Sequence, residues 1–136
     1  MTNIKRVLRR ILAGLLIAVP SAATAHHSGS EFDLTKRVST VGTVKSWQWR
    51  NPHAWLQVLV PGANGAMQEY GFELGSPNTL FRNGYRKDSW KPGEKVKVYY
   101  SPRHDGSPGG ELTWAKDRAG TWLRWGPNAG TTPPAN

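Results

Sequence analysis

The sequence contains no cysteine and only two methionines in 136 residues. The absence of cysteine excludes disulfide bonds, thiolate nucleophiles, Cys-ligated zinc, iron–sulfur clusters and a lipid-modified N-terminal Cys. The chain also lacks a Gly-x-Ser-x-Gly elbow, a His-Glu-x-x-His helix and a phosphate-binding Gly loop. Acidic side chains number nine against 18 basic ones. We therefore predict one uncross-linked domain, stabilised by its apolar core, with no recognised catalytic set.

The first 25 residues have the pattern of a secretory signal peptide. Four basic side chains precede an apolar run at residues 11–19, which is shorter than the roughly 20 residues that span a bilayer. Pro20 interrupts the run, and residues 23–25 (Ala-Thr-Ala) form a small-x-small cleavage site. We expect cleavage before His26 by the general secretory route, a periplasmic or secreted product, and no transmembrane segment in it. An uncleaved N-terminal anchor is the alternative.

Cleavage at that point changes the charge of the protein. Removing 25 of the 136 residues leaves 111, and four of the 18 basic side chains are lost with no acidic one. The net charge falls from +9 to +5. A charge of this size favours solubility and acidic partners, but does not indicate nucleic acid. We expect the partner to be a protein or small ligand of the cell envelope.

Apolar alternation and Val, Thr and Trp content predict five strands and a short sixth. The predicted strands are residues 37–49, 53–60, 67–74, 94–100, 111–116 and 121–125. Gly42 inside the first strand predicts a bulge or strong bend. Between the third and fourth strands, Ser76 as a cap, Pro77 at the first helical position and Gly84 as a stop predict a helix of about two turns.

Three strands, a short helix and two or three further strands are the order of a small Greek-key barrel, the OB-fold. The fold class is therefore mainly β, an OB-like barrel of five to six strands, with an open β-sandwich as the alternative. We assign residues 26–36 to an N-terminal arm and residues 37–125 to the barrel. Residues 126–136 are rich in Gly, Pro and Thr and are predicted to be a disordered tail.

Several motifs together carry a resemblance to a known family. They are residues 26–28 (His-His-Ser), 31–33 (Glu-Phe-Asp), 42–44 (Gly-Thr-Val), 49–55 (Trp-Arg-Asn-Pro-His-Ala-Trp), 72–84 (Phe-Glu-Leu-Gly-Ser-Pro-Asn-Thr-Leu-Phe-Arg-Asn-Gly) and 91–94 (Lys-Pro-Gly-Glu). Over about residues 25–115 the chain resembles a family of small secreted bacterial proteins of unknown function. It departs in details such as Tyr85, where a Trp is common. The resemblance implies export and a small β-barrel; it implies no activity, ligand or catalytic residue.

The four histidines are the candidate metal ligands. At the predicted mature terminus, the α-amine and ring Nδ1 of His26 can chelate one ion, and a third nitrogen completes a T-shaped histidine brace. Such nitrogen-rich sets suit Cu(II), which binds most tightly among the divalent first-row metals. His53 is the first choice for the third ligand. His27 is the second, since adjacent side chains in an extended segment point to opposite sides, and His104 in a polar loop is the third.

Other interpretations of these histidines stay open. The His-His pair is also typical of a polar N-terminal arm, and His53 beside Pro52 is also typical of a partly buried histidine that satisfies a backbone group. Zinc held by His26, His53 and a carboxylate such as Glu31 or Asp33 is a further alternative. With no Cys and a single methionine after the signal segment, a Cu(I) thioether or thiolate site is not expected.

The chain has seven tryptophans, more than so small a core needs. Trp47 and Trp49 lie two residues apart on one predicted strand face, and Trp55 is close in sequence. Exposed Trp rings on a barrel stack sugars or bases, whereas buried ones fill the barrel and its ends. These three residues are therefore candidates for binding a protein or glycan partner.

A polar group surrounds the predicted helix start. Glu73, Asn78 and Arg82 flank the turn at Ser76, and Asn51 lies in the preceding motif; we include these five among the candidate binding residues. Glu73 is expected to bond the free N–H groups of the helix, to pair with Arg82, or to form an acid–base or metal-supporting pair with His53.

Two function classes follow from these candidates. The first is an exported binding or accessory protein that holds copper through His26 and His53. The alternative is a metal-free protein- or glycan-binding module that uses the Trp-rich face. Because no catalytic set is recognised, we expect a binding protein rather than an enzyme.

Overall fold

The computed structural model describes residues 31–135. The predicted signal segment, His26 and His27 lie outside the described residues. The elements are β1 (Val38–Gln48), β2 (Trp55–Pro61), β3 (Met67–Glu73), helix α1 (Pro77–Arg82), β4 (Lys95–Pro102), β5 (Gly109–Lys116), β6 (Trp122–Arg124) and a 3-10 turn (Pro127–Ala129). All six predicted strands and the predicted helix are confirmed, with bounds shifted by a few residues.

The strands form one sheet that closes on itself. Its order is β3-β2-β1-β4-β5-β6, and β3 also pairs with β5 in parallel. Five strands thus make a closed barrel, and β6 is an extra strand beside β5. This confirms the mainly β, OB-like barrel and not the open sandwich, because the β3–β5 pairing leaves no gap between the two ends of the five-strand sheet.

β1 bends because it must serve both halves of the barrel. Its N-terminal half pairs with β4 and its C-terminal half with β2. The register with β2 shifts between Val44 and Ser46, which is the bulge expected in this strand, two residues after Gly42. Gly42 permits the close approach of the two strands, since a Cβ there would lie 2.5 Å from the Leu59 carbonyl oxygen.

Glycines also make the closure between β3 and β5. A Cβ on Gly109 would lie 2.0 Å from the Gly71 carbonyl oxygen, and one on Gly110 would lie 1.9 Å from the Ser101 carbonyl oxygen. Any side chain at either position would therefore push the strands apart. The closure places Glu73 directly beside Glu111 in the parallel register.

The helix closes one end of the barrel. Ser76 occupies the N-cap position without a side-chain capping bond, and Pro77 begins the helix, as predicted. Leu80, Tyr85 and Trp90 from the helix and the segment after it are fully or almost fully buried and belong to the apolar core. The opposite side of the helix is solvent-exposed, with Phe81 57% accessible.

The C-terminal segment is ordered against the barrel, which differs from the disordered tail that the sequence predicts. Ala129 is fully buried, and its carbonyl oxygen accepts hydrogen bonds from Trp114 Nε1 at 2.7 Å and Arg37 Nη1 at 2.9 Å. Asn128 Nδ2 donates to the Lys36 carbonyl oxygen at 2.8 Å. The segment has little apolar surface to bury, but it supplies backbone acceptors that the barrel's own donors need.

Candidate functional site

A histidine–carboxylate pair lies at the end of the barrel where β2 begins and β3 ends. His53 Nδ1 contacts Glu73 Oε1. Two backbone hydrogen bonds of 3.0 Å, from Ala54 to Gly75 and from Leu74 to Ala54, hold the two strand ends together. The Glu73 side chain is 11% exposed and the His53 side chain 38% exposed. Because Nδ1 is held by the carboxylate, Nε2 is the ring nitrogen left for a ligand.

The surroundings of the Glu73 carboxyl disfavour its ionised form. Burial is the main cause that raises the pKa of this carboxyl, and the nearby Glu31 carboxylate raises it further. His53 and Arg103 act in the opposite direction but do not cancel the effect of burial. The ionised form of Glu73 therefore needs its histidine partner more than that of an exposed carboxylate would.

A second carboxyl group, Glu111, lies beside the pair. It is the register neighbour of Glu73 across the parallel β3–β5 pairing. Its Oε2 atom is buried and has no hydrogen-bond partner in the described part of the chain. Burial raises the pKa of Glu111, and the Glu73 carboxylate adds to this effect. Sequence reasoning missed Glu111, because the contact exists only when two strands distant in sequence close the barrel.

The N-terminal arm reaches the same place through Arg103. Phe32 forms an isolated antiparallel bridge with Arg103, and the His104 N–H donates to the Glu31 carbonyl oxygen at 3.0 Å. The Arg103 guanidinium lies 5.6 Å from the Phe32 ring centroid and 5.8 Å from that of Trp55. These contacts fix the arm beside the β4–β5 loop. Arg103 was also missed by sequence reasoning, because no local pattern marks it.

The pair occupies the position where OB barrels bind their ligands. His53 belongs to the β1–β2 connection, and Arg103 and His104 begin the β4–β5 connection. Ligands of OB folds bind at these two loops and the adjoining strands. Location, buried carboxyls and a half-exposed imidazole together make this the candidate site.

Of the four candidate histidines, the described residues include His53 and His104. His53 lies in the candidate site. His104 is exposed in an open cleft of about 390 Å³ whose lining includes Glu31, Arg103, Asp105 and Ser107. His26 and His27 fall outside the described residues, so their convergence on His53 stays a prediction. Within residues 31–135, no three His, Asp or Glu side chains are arranged to hold a metal ion.

The three candidate tryptophans separate into two places. Trp47 donates from Nε1 to the Arg86 carbonyl oxygen at 2.9 Å, and its ring packs edge-on against Trp49 and Trp90 at centroid distances of 5.6 and 4.9 Å. Trp47 and Trp49 are partly buried against the core. Trp55 lies opposite Glu73 in the β2–β3 register and borders the candidate site.

The remaining candidate residues do not join the pair. Asn51, Asn78 and Arg82 are exposed. Ser76 interacts with Thr79 through their hydroxyl oxygens at 3.1 Å. Glu73 thus pairs with His53, one of the three alternatives that the sequence left open, and among the described contacts it pairs with neither the helix N–H groups nor Arg82.

Comparison with solved structures gives a distant likeness. The chain is similar to a mitochondrial single-stranded DNA-binding protein from S. cerevisiae, Rim1, with 14% identity, a TM-score of 0.43, and coverage of 67% of this chain and 97% of that one. Likeness at this level carries no argument about ligands. No curated protein matches the sequence. No helix within residues 31–135 is long and apolar enough to cross a membrane.

A family model matches residues 13–112, which include the N-terminal arm, the barrel up to the first residues of β5, and both members of the His53–Glu73 pair. The match spans most of the chain and contains every motif on which the sequence resemblance rests. The chain therefore belongs to DUF6152, a family of unknown function.

Proposed function

We propose that this protein is an exported binding or accessory protein that holds one Cu(II) ion. The α-amine and Nδ1 of His26, exposed by signal cleavage, supply two ligands, and His53 Nε2 supplies the third. Nitrogen ligands in this number and arrangement favour Cu(II) over other divalent ions. The ordinary pKa of an α-amine is about 7.7–8.0, so copper can displace its proton near neutral pH.

The His53–Glu73 pair is the observation that carries the proposal. Metal-binding histidines commonly donate their second ring N–H to a carboxylate, which fixes the tautomer, orients the ring and raises the basicity of the ligating nitrogen. Here Glu73 holds Nδ1, so that Nε2 is the free donor.

The path of the N-terminal arm supports the same proposal. Glu31 is anchored to His104 and lies close enough to Glu73 to affect its charge. Four residues lie between His26 and Glu31, and an extended chain over these five steps spans up to about 17 Å. A terminus within this distance of Glu31 is compatible with His26 and His53 binding one ion.

Local charge supports a cation as the ligand. Glu31, Glu73, Asp105 and Glu111 surround the arm and the pair, whereas Arg103 is the basic residue among them. The protein as a whole is basic, with a net charge of +9, so this group of carboxyls is a local departure from the overall charge. Such a field raises the local concentration of divalent cations.

The test is a Cu(II) titration of correctly processed protein that begins at His26, followed by electron paramagnetic resonance. We expect one tight equivalent with a nitrogen-rich spectrum. A form extended by one Met before His26 and the His53→Ala variant should both lose it. The Glu73→Gln variant should bind about 10- to 100-fold more weakly, with the ligand set unchanged.

The control is His104→Ala, which should bind copper as the parent does. Equal binding by the Met-extended form would overturn the brace, and equal binding by His53→Ala would remove His53 from it. Tight binding of Zn(II) with little response to Cu(II) would instead support the alternative set that adds Glu31 or Asp33. The metal-free module on the Trp-rich face has less support, because the Trp47 ring and its N–H are used inside the protein.

A further inference from the structure

The outer surface of β1, β4, β5 and β6 combines basic, aromatic and apolar side chains. In β4, Val96, Val98 and Tyr100 are buried, so the alternate residues point outward. The residues on this outer surface, called the cationic face below, are Val41, Lys95, Lys97, Tyr99, Lys116 and Trp122.

The strand register places these residues in adjoining rows. Val41 lies opposite Lys97, and Lys116 lies opposite Trp122. The Tyr99 and Trp122 rings contact each other with centroids 6.1 Å apart. Val41 is 55% exposed, an unusual position for a valine in the middle of a barrel strand. The face is therefore continuous across four strands and has an apolar component.

Two of the three lysines of the cationic face have no acidic partner in the described part of the chain. Lys95 and Lys97 form no ion pair within residues 31–135, and Lys95 Nζ donates only to the Thr43 hydroxyl at 2.9 Å. Two acidic residues lie at the edge of the face: Asp117, whose Oδ1 accepts from the backbone N–H groups of Ala119 and Thr121, and Glu94, which pairs with Arg118. A shallow groove of about 370 Å³ runs between the lysines and Trp122, with Ala135 at its edge.

Lysine ammonium groups lie over the Tyr99 and Trp122 rings, which leaves less ring surface for a stacked ligand. The Lys97 ammonium lies 5.0 Å from the Tyr99 ring centroid, and the Lys116 ammonium lies 5.0 Å from that of Trp122. Sugars and nucleic-acid bases stack on an open ring face, and each ammonium group covers one face of its ring. Lysines folded along Trp and Tyr rings instead resemble the amphipathic arrangement that suits a lipid–water boundary.

We propose that the cationic face docks on the surface of an anionic phospholipid bilayer. Val41, Tyr99 and Trp122 lie at the headgroup level, and Lys95 and Lys97 contact lipid phosphates. The apolar area is small, so charge supplies most of the binding, and each lysine near an anionic membrane contributes about fivefold in affinity. The proposal does not depend on copper and concerns a different side of the barrel from His53.

The experiment measures co-sedimentation of the processed protein with vesicles. Vesicles of phosphatidylcholine alone are compared with vesicles that contain about one third phosphatidylglycerol. We expect binding to the anionic vesicles only, lost at high salt because the charges are exposed. The double variant Lys95→Gln, Lys97→Gln should bind about 30-fold more weakly.

The matched control is Lys87→Gln, Lys91→Gln, which removes the same charge from exposed positions in the connection before β4. It should bind nearly as the parent does. Equal weakening by both double variants would overturn the assignment to this face. Absence of binding to anionic vesicles, or binding to soluble acidic polysaccharide, acidic protein or DNA in their place, would overturn the lipid proposal. Thermal unfolding of each variant distinguishes lost binding from lost fold.

Discussion

The Glu111 carboxyl is buried without full compensation. Its Oε2 atom has no hydrogen-bond partner among residues 31–135, and Gly126 crosses so close that a Cβ there would lie 2.9 Å from that oxygen. Burial raises the pKa of Glu111 above its ordinary value of 4.5. The folded state therefore holds this proton more tightly than the unfolded state, and the group costs stability as the pH rises from about 4.5 through the folded pKa.

We predict that Glu111→Gln raises the melting temperature at pH 7. The neutral amide keeps the shape of the side chain and removes the buried charge. The gain should shrink as the pH falls toward 4.5 and should vanish well below it, where the parent carboxyl is protonated in both states. Calorimetry from about pH 3 to about pH 8 measures this, with the exposed Asp88→Asn as the control. A gain that grows toward acid pH would contradict the prediction.

At the residue scale, sequence reasoning found half of the candidate site. His53 and Glu73 were both singled out, and their pairing was one of the stated alternatives, because each belongs to a compact motif. Glu111 and Arg103 come from β5 and the loop before it, and nothing in their neighbourhoods marks them. Their role depends on the β3–β5 closure, which brings distant residues together.

The strand elements followed closely from local chemistry. Alternating apolar residues and Gly, Pro and Asn turns set the strands, and Ser76 and Pro77 set the helix start. The same local patterns do not predict which strand pairs with which. The parallel β3–β5 contact depends on the close approach of the Gly71 and Gly109 backbones. The alternation of apolar and polar residues, which predicts strands, carries no information on this approach.

Alanine substitutions at two glycines test the β3–β5 closure. Gly106 and Gly109 both have positive φ, of 74° and 108°, so alanine strains either backbone by about 1–2 kcal/mol. Nothing lies within 4 Å of a Cβ at Gly106, whereas at Gly109 it would meet the Gly71 carbonyl oxygen. We predict that Gly109→Ala lowers the free energy of unfolding by about 1–3 kcal/mol more than Gly106→Ala does. Equal losses in urea titrations would show that the closure tolerates a side chain.

At the scale of the whole molecule, the C-terminal segment acts as part of the fold. The Trp114 side chain is 4% exposed, and its N–H has the Ala129 carbonyl as its acceptor. The composition of this segment pointed to disorder because it has few apolar residues. It is held instead by hydrogen bonds that composition does not reveal.

We predict that deletion of residues 127–136 lowers the free energy of unfolding by about 2 kcal/mol, since the Trp114 N–H loses its acceptor. Tryptophan emission should shift to longer wavelength. Deletion of residues 131–136 is the control, because it retains Ala129 and the Gly130 carbonyl that accepts from Arg124 Nη1 at 2.7 Å. If both truncated forms unfold at the same urea concentration as the full chain, the segment contributes nothing to stability.

The parallel closure also governs when the chain can fold. β3 cannot meet its partner until β5 has been synthesised and β4 has crossed the barrel, so the last step joins residues far apart in sequence. Folds built on such distant pairings form in milliseconds to seconds, and not in microseconds. The slow closure is compatible with the export proposed above. A chain whose barrel closes late remains unfolded for longer, and an unfolded chain is the form that passes a translocation channel.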